Sequence, residues 1–173
     1  AKYASIWRAD GSPLAVWTKR QADALAAALG SSVLVRHAMR YGQPSVASQL
    51  DALVAAGAER ILVLPLYPQY AAATTASGND AVMAWAGRQR RQPEWRFVRS
   101  FHDDAGYLEA LAWRVEQHWR TQGRGEMLLL SFHGIPARSS RLGDPYEAEC
   151  KATARLLAQR LGLADTQWRL SFQ

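Results

Sequence analysis

The chain has 173 residues, of which hydrophobic types make up 49%, and it carries a formal net charge of +6. That composition supports a packed core and excludes a wholly disordered chain. No apolar run approaches the roughly 20 residues of a membrane span, and the single cysteine, Cys150, excludes an internal disulfide and any Cys-x-x-Cys metal or redox motif. The opening Ala1-Lys2-Tyr3-Ala4-Ser5 is unlike a signal peptide, so a reducing cytoplasm is the expected setting.

The hydrophobic periodicity alternates between short runs and longer helical stretches. Residues 3–7 form at most a weak strand. Ser12-Pro13 opens a helix to Leu29, stopped by Gly30. Val33–Val35 reads as a strand. Pro44 starts a helix through Val46, Leu50, Leu53 and Val54, ended by Gly57. Arg60–Leu66 (R-I-L-V-L-P-L) reads as a buried strand with Pro65 at the end of its ladder. Ser77–Gln89 is a predicted helix, Trp95–Phe101 a strand and Asp104–Gln122 a long helix. Glu126–Phe132 is a predicted strand, Pro145–Leu161 a helix and Gln167–Phe172 a last strand. Between Phe132 and Pro145 a polar loop carries Arg138 and Arg141. Asp144, Pro145 and Glu147 together read as a capping box.

This alternation implies an α/β fold with a mainly parallel sheet and right-handed crossovers. Gly123-Arg124-Gly125 is the best linker candidate. It gives a first unit over residues 1–122 and a second over 123–173. The chain opens without a convincing strand and closes on a strand that no helix covers. Parallel strands are normally covered on both faces. The expectation is therefore a piece of a longer protein, or ends that pair with another chain.

His133 follows the apolar run Met127–Leu130 and Ser131-Phe132, where a strand hands over to a loop. In open α/β sheets ligands bind at that carboxyl end. A lone histidine there is commonly a structural group satisfied by backbone. The sharper reading is a base or a metal ligand, both suited to an imidazole. Arg40-Tyr41 and Tyr67-Pro68-Gln69-Tyr70, with Thr74-Thr75, also follow predicted strands. The tyrosines suggest a rigid aromatic wall for a flat apolar ligand, against the simpler reading of loop packing. Gly11-Ser12-Pro13 is a plain N-cap or, at a helix N-terminus, an anion site. His102-Asp103-Asp104 is a routine helix start or a divalent-metal cluster. No G-x-G-x-x-G, P-loop or nucleophile elbow is present. The basic surplus, largely arginine, favours anions. Arg88–Arg91 closes a predicted helix, where cations suit the dipole, so no nucleic-acid partner is expected.

Ser131-Phe132-His133-Gly134-Ile135-Pro136 with Gly143-Asp144-Pro145-Tyr146 resembles the signature of the ferrochelatase family, enzymes that insert ferrous iron into a porphyrin. Gly11-Ser12-Pro13 with Thr18 and Gln21, Arg40-Tyr41 with Pro44, and Tyr67–Tyr70 with Thr74-Thr75 match further family segments, in family order. The resemblance implies two Rossmann-like, chelatase-type lobes of parallel sheet flanked by helices, the second truncated here. By carry-over His133 is catalytic, accepting a pyrrole proton or offering its nitrogen to iron. Arg40, Tyr41 and Tyr67 line the porphyrin site, Ser12 holds a propionate, and His102 matches a metal-path position whose residue type varies. The substrates implied are a porphyrin and ferrous iron, with no cofactor required. The resemblance leaves open an iron–sulfur cluster, the oligomeric state, peripheral contact with the inner membrane, and protoporphyrin versus coproporphyrin. It also leaves two alternatives: a folded tetrapyrrole-binding piece without turnover, and a related chelatase for another metal.

Overall fold

The computed structural model describes Trp7 and residues 9–173. The weak strand expected at residues 3–7 lies, apart from Trp7, outside them. The fold is α/β, with strands flanked by helices, and it divides into two compact units. One comprises residues 1–63 and 77–96, the other residues 64–76 and 97–173.

In the first unit α1 spans Pro13–Leu29. The Ser12 hydroxyl accepts the Ala15 N–H at 3.3 Å, and Gly30, at φ 72°, closes the helix by donating its N–H to the Ala26 carbonyl. Helix α2 spans Val46–Ala55 and packs on α3, Ser77–Ala86. Leu50, Ile61, Val82, Trp85 and Ala86 are the buried apolar side chains here. The Trp85 indole donates to Asp51 Oδ1 at 2.8 Å and meets Trp95 edge-on, with ring centres 6.1 Å apart. Strand β1, Arg60–Val63, runs beside β2, Glu94–Phe97, whose last residue belongs to the second unit.

In the second unit β3, Leu128–Phe132, pairs in parallel with β4, Trp168–Phe172, in the register Leu128↔Trp168 to Phe132↔Phe172. A short helix α5, Ala137–Arg141, and a long one, α6, Tyr146–Arg160, connect them. Helix α4, Ala105–Gln122, is capped by Asp104, which accepts the Tyr107 N–H at 2.9 Å, and packs on α6. The buried residues of α6 are Glu149, Cys150, Thr153, Ala154, Leu157 and Ala158, a stripe at helical spacing.

Several expectations are corrected. Val33–Val35 is not a strand: no described strand runs beside it, and Val33 and Leu34 stay open to solvent. A strand needs a ladder partner, which a β-branched run alone does not supply. Pro44 does not start α2. It sits ahead of the Ser45 cap, joined to Gln43 by a cis peptide. Strands β1 and β2 are shorter than Arg60–Leu66 and Trp95–Phe101, and Pro65 lies beyond the ladder as its missing N–H requires. The polar loop with Arg138 and Arg141 is α5. A π-helical turn, Ala72–Ala76, leads into α3. The capping box does not form, because α6 begins one residue past Pro145 and Glu147 is one position short of the third turn residue. Its carboxylate pairs with Lys151 at 2.6 Å instead, and Asp144 Oδ1 accepts the Tyr146 N–H.

Candidate functional site

His133 is the first residue after β3, and its side chain is exposed. The backbone around it is pinned on both sides. Gln173 N–H donates to the Phe132 carbonyl at 3.0 Å, and Gly134 N–H donates to the Gln173 carbonyl at 2.7 Å. A Cβ at Gly134 would lie 2.9 Å from that carbonyl oxygen, so the position admits only glycine without a shift. The Tyr146 hydroxyl lies close to the His133 backbone, and the Tyr146 ring neighbours Phe172, itself 6.1 Å from Phe132. An exposed imidazole therefore stands on a fixed main chain, next to an aromatic cluster at the carboxyl end of the β3–β4 pair.

Burial, together with the adjacent Cys150 thiol, pushes the Tyr146 phenol up to about 12, while the His133 backbone contact acts the other way. Cys150, fully buried, is pushed up to about 11, chiefly by burial. It stays a thiol at neutral pH and has no thiolate to offer a metal or an electrophile.

The Tyr67–Tyr70 turn is held by four hydrogen bonds within the same unit. The Pro68 carbonyl accepts the Phe101 N–H at 2.9 Å, and the Gln69 side chain donates to Thr153 Oγ1 at 2.9 Å. Tyr70 N–H donates to Glu149 Oε2 at 2.7 Å, and Ala72 N–H donates to Asp144 Oδ2 at 2.8 Å. The Thr153 hydroxyl in turn donates to the His102 carbonyl at 2.7 Å. Three of the four bonds end on α6 or on Asp144, two residues before its start. Tyr67 carries none of them and keeps its ring 46% exposed.

His102 does not stand in a metal cluster. Its Nδ1 lies 3.4 Å from Glu149 Oε2 and 3.4 Å from Ser100 Oγ, while Asp104 is spent on capping α4. Among the described residues no group of three or more His, Cys, Asp or Glu side chains converges to hold a metal ion. The divalent-cluster reading of His102-Asp103-Asp104 falls with that.

In the first unit Arg40 Nε donates to the Ser77 carbonyl at 2.8 Å and to its hydroxyl at 2.9 Å, and the guanidinium lies 4.7 Å from the centre of the Tyr41 ring. Tyr41 is otherwise open to solvent. A hollow of about 420 Å³ is lined by Arg40, Ser45, Val46, Ala47 and Asp80, among others. A larger one, about 580 Å³, lies against the Lys151 and Arg155 side of α6 and touches none of the residues predicted from sequence. The Ser12 hydroxyl oxygen accepts in the α1 cap. The predicted residues thus fall into two sets: Ser12, Arg40 and Tyr41 in the first unit, and Tyr67, His102 and His133 in the second.

Sequence reasoning missed Glu149. It is 6% exposed on the inner stripe of α6 and receives Arg99 at 3.0 Å on one oxygen, with Tyr70 N–H and His102 on the other. The readable signal was a Glu and a Thr four residues apart inside an otherwise apolar stripe, since charges are rarely buried without partners.

A ferrochelatase family model matches residues 1–173. The chain belongs to the ferrochelatase family. It is 65% identical over its whole length to a ferrochelatase of Methylibium petroleiphilum, covering 48% of that protein. It is 58% identical over 99% of its length to one of Polaromonas, again covering 48%, and 57% identical over its whole length to one of Azoarcus, with the same coverage. The chain spans about half the length of the curated ferrochelatases it matches.

Proposed function

We propose that the chain acts as part of a ferrochelatase roughly twice its length, which inserts ferrous iron into protoporphyrin. Family membership supports the chemistry, and the half-length coverage supports the larger whole. The observation that carries a role for His133 is its exposed ring on a main chain fixed by two flanking ladder bonds. Insertion of ferrous iron releases two pyrrole protons. An imidazole near neutrality accepts one at its free ring nitrogen, within the range of general-base catalysis. A wall that favours the bent macrocycle, whose nitrogen lone pairs are accessible, lowers the barrier by binding the transition state better than the flat ground state. Tyr67 supplies one exposed aromatic surface for such a wall, and Arg40 with Tyr41 another. In this reading Ser12 holds a propionate, and His102, whose Nδ1 faces Ser100 and Glu149, offers Nε2 for a place on the metal path.

The coverage also favours a second statement: the 173-residue chain alone binds tetrapyrrole without sustained turnover. The protein extended to the length of its relatives, assayed anaerobically with ferrous iron and protoporphyrin, tests both. His133→Ala is expected to lower haem formation by about 100-fold or more. Near-normal turnover in that variant overturns the role of His133, and robust insertion by the short chain overturns the need for the larger whole. Among the described residues no helix is long and apolar enough to cross a membrane.

A further inference from the structure

Glu149 is a buried carboxylate that accepts from two separate segments, the Tyr70 turn and the loop that carries Arg99. Arg99, whose side chain is 61% exposed, reaches Oε1 at 3.0 Å and lies 4.9 Å from the centre of the Tyr70 ring. Oε2 receives the Tyr70 N–H at 2.7 Å and faces His102 Nδ1 at 3.4 Å. Burying a charge in this way seldom adds net stability, because desolvation offsets the attraction and an apolar side chain of the same volume does as well. What a carboxylate supplies and an apolar group cannot is direction: two oxygens that fix two donors, the Tyr70 N–H and Arg99, in one geometry. The donors are those that shape the Tyr67–Tyr70 turn. Beside the Pro68 bond to Phe101 and the Gln69 bond to Thr153, the Tyr70 N–H ties the main chain of the turn directly to Glu149 on α6.

We infer that Glu149 is a positioning residue, which locks the Tyr67 turn onto α6 and so sets how tightly the protein holds its porphyrin. The inference rests on the porphyrin reading of Tyr67 given above. Glu149 touches no substrate and acts only through the turn. Loosening the turn removes binding shared by the ground and transition states, which raises KM and leaves kcat largely unchanged.

The test is steady-state haem formation by the protein at the length of its relatives, with thermal unfolding measured on the same samples. Glu149→Ala is expected to raise the porphyrin KM about ten-fold with kcat within about three-fold of the parent. Glu149→Gln keeps an oxygen for the Tyr70 N–H and loses the charge, so its KM is expected to rise only about three-fold. A folded Ala variant with a porphyrin KM within about two-fold of the parent overturns the inference, whatever its unfolding temperature, as does a loss confined to kcat. If the Ala variant does not fold, the Gln variant, whose shape is nearly unchanged, decides: a KM equal to the parent's overturns the inference in the same way. An active parent with an unmoved KM defeats this inference alone. A parent that makes no haem defeats the porphyrin reading and takes the inference with it.

Discussion

Helices α1 and α6 are nearly equal in length, 17 and 15 residues, and both are marked in the sequence almost to the residue. Their packing is opposite. None of the residues of α1 is buried, and Leu14, Trp17, Leu25 and Leu29 are open to solvent. Helix α6 buries six residues, two of them polar and one of these charged, and ties together the turns that carry His133 and Tyr67. The contrast separates two kinds of information. Helix ends are written in local chemistry: Ser12 before Pro13, Gly30 after Leu29. What a helix face touches depends on residues distant in the chain, such as Tyr70 for Glu149.

The largest expected effect is in the core of α6. Leu157→Ala should cost about 3 kcal/mol in denaturant unfolding of this chain, against less than about 1 kcal/mol for Leu25→Ala on α1. Equal losses would erase the contrast. Gly134→Ala should come next, near 2 kcal/mol, because the Gln173 carbonyl is backbone and must move with its ladder. An unchanged midpoint would show that the turn is softer than its hydrogen bonds imply. Ser12→Ala should cost about 1 kcal/mol through the lost cap, and this cost should be the same in the short chain and in the longer protein if Ser12 has only that role.

A further effect is at alkaline pH. Tyr146 and Cys150 have ordinary values of 10.0 and 9.0 but titrate near 12 and 11 in the folded chain. Below pH 9 both groups are protonated in both states, so the folded form carries no penalty. As pH rises past 9 and 10 the unfolded chain loses protons that the folded chain retains, and stability falls until the folded groups titrate. Tyr146→Phe should flatten the upper part of that fall, measured as unfolding midpoints from pH 8 to 12. An unaltered slope would show that Tyr146 is wetter than its position beside Cys150 indicates.

The element order and the exposed histidine at a strand end were legible because they rest on periodicity and on Gly, Pro, Ser and Asp at element ends. Val33–Val35 misled because β-branched residues state a preference and a ladder partner decides. Helix α5 was hidden because Ala137–Arg141 is too short to show a period. His102-Asp103-Asp104 does not converge as a cluster because Asp104 accepts the backbone N–H of the helix that it caps. Glu149 was the more serious omission. It lies three residues after Tyr146, just past the string that pointed to the family, yet the residues it meets lie 47 to 79 positions away.

Tyr146 and Glu149 sit three residues apart on one helix, one next to the main chain of the imidazole turn and the other on the tyrosine turn. A rocking of that helix carries both turns the same way.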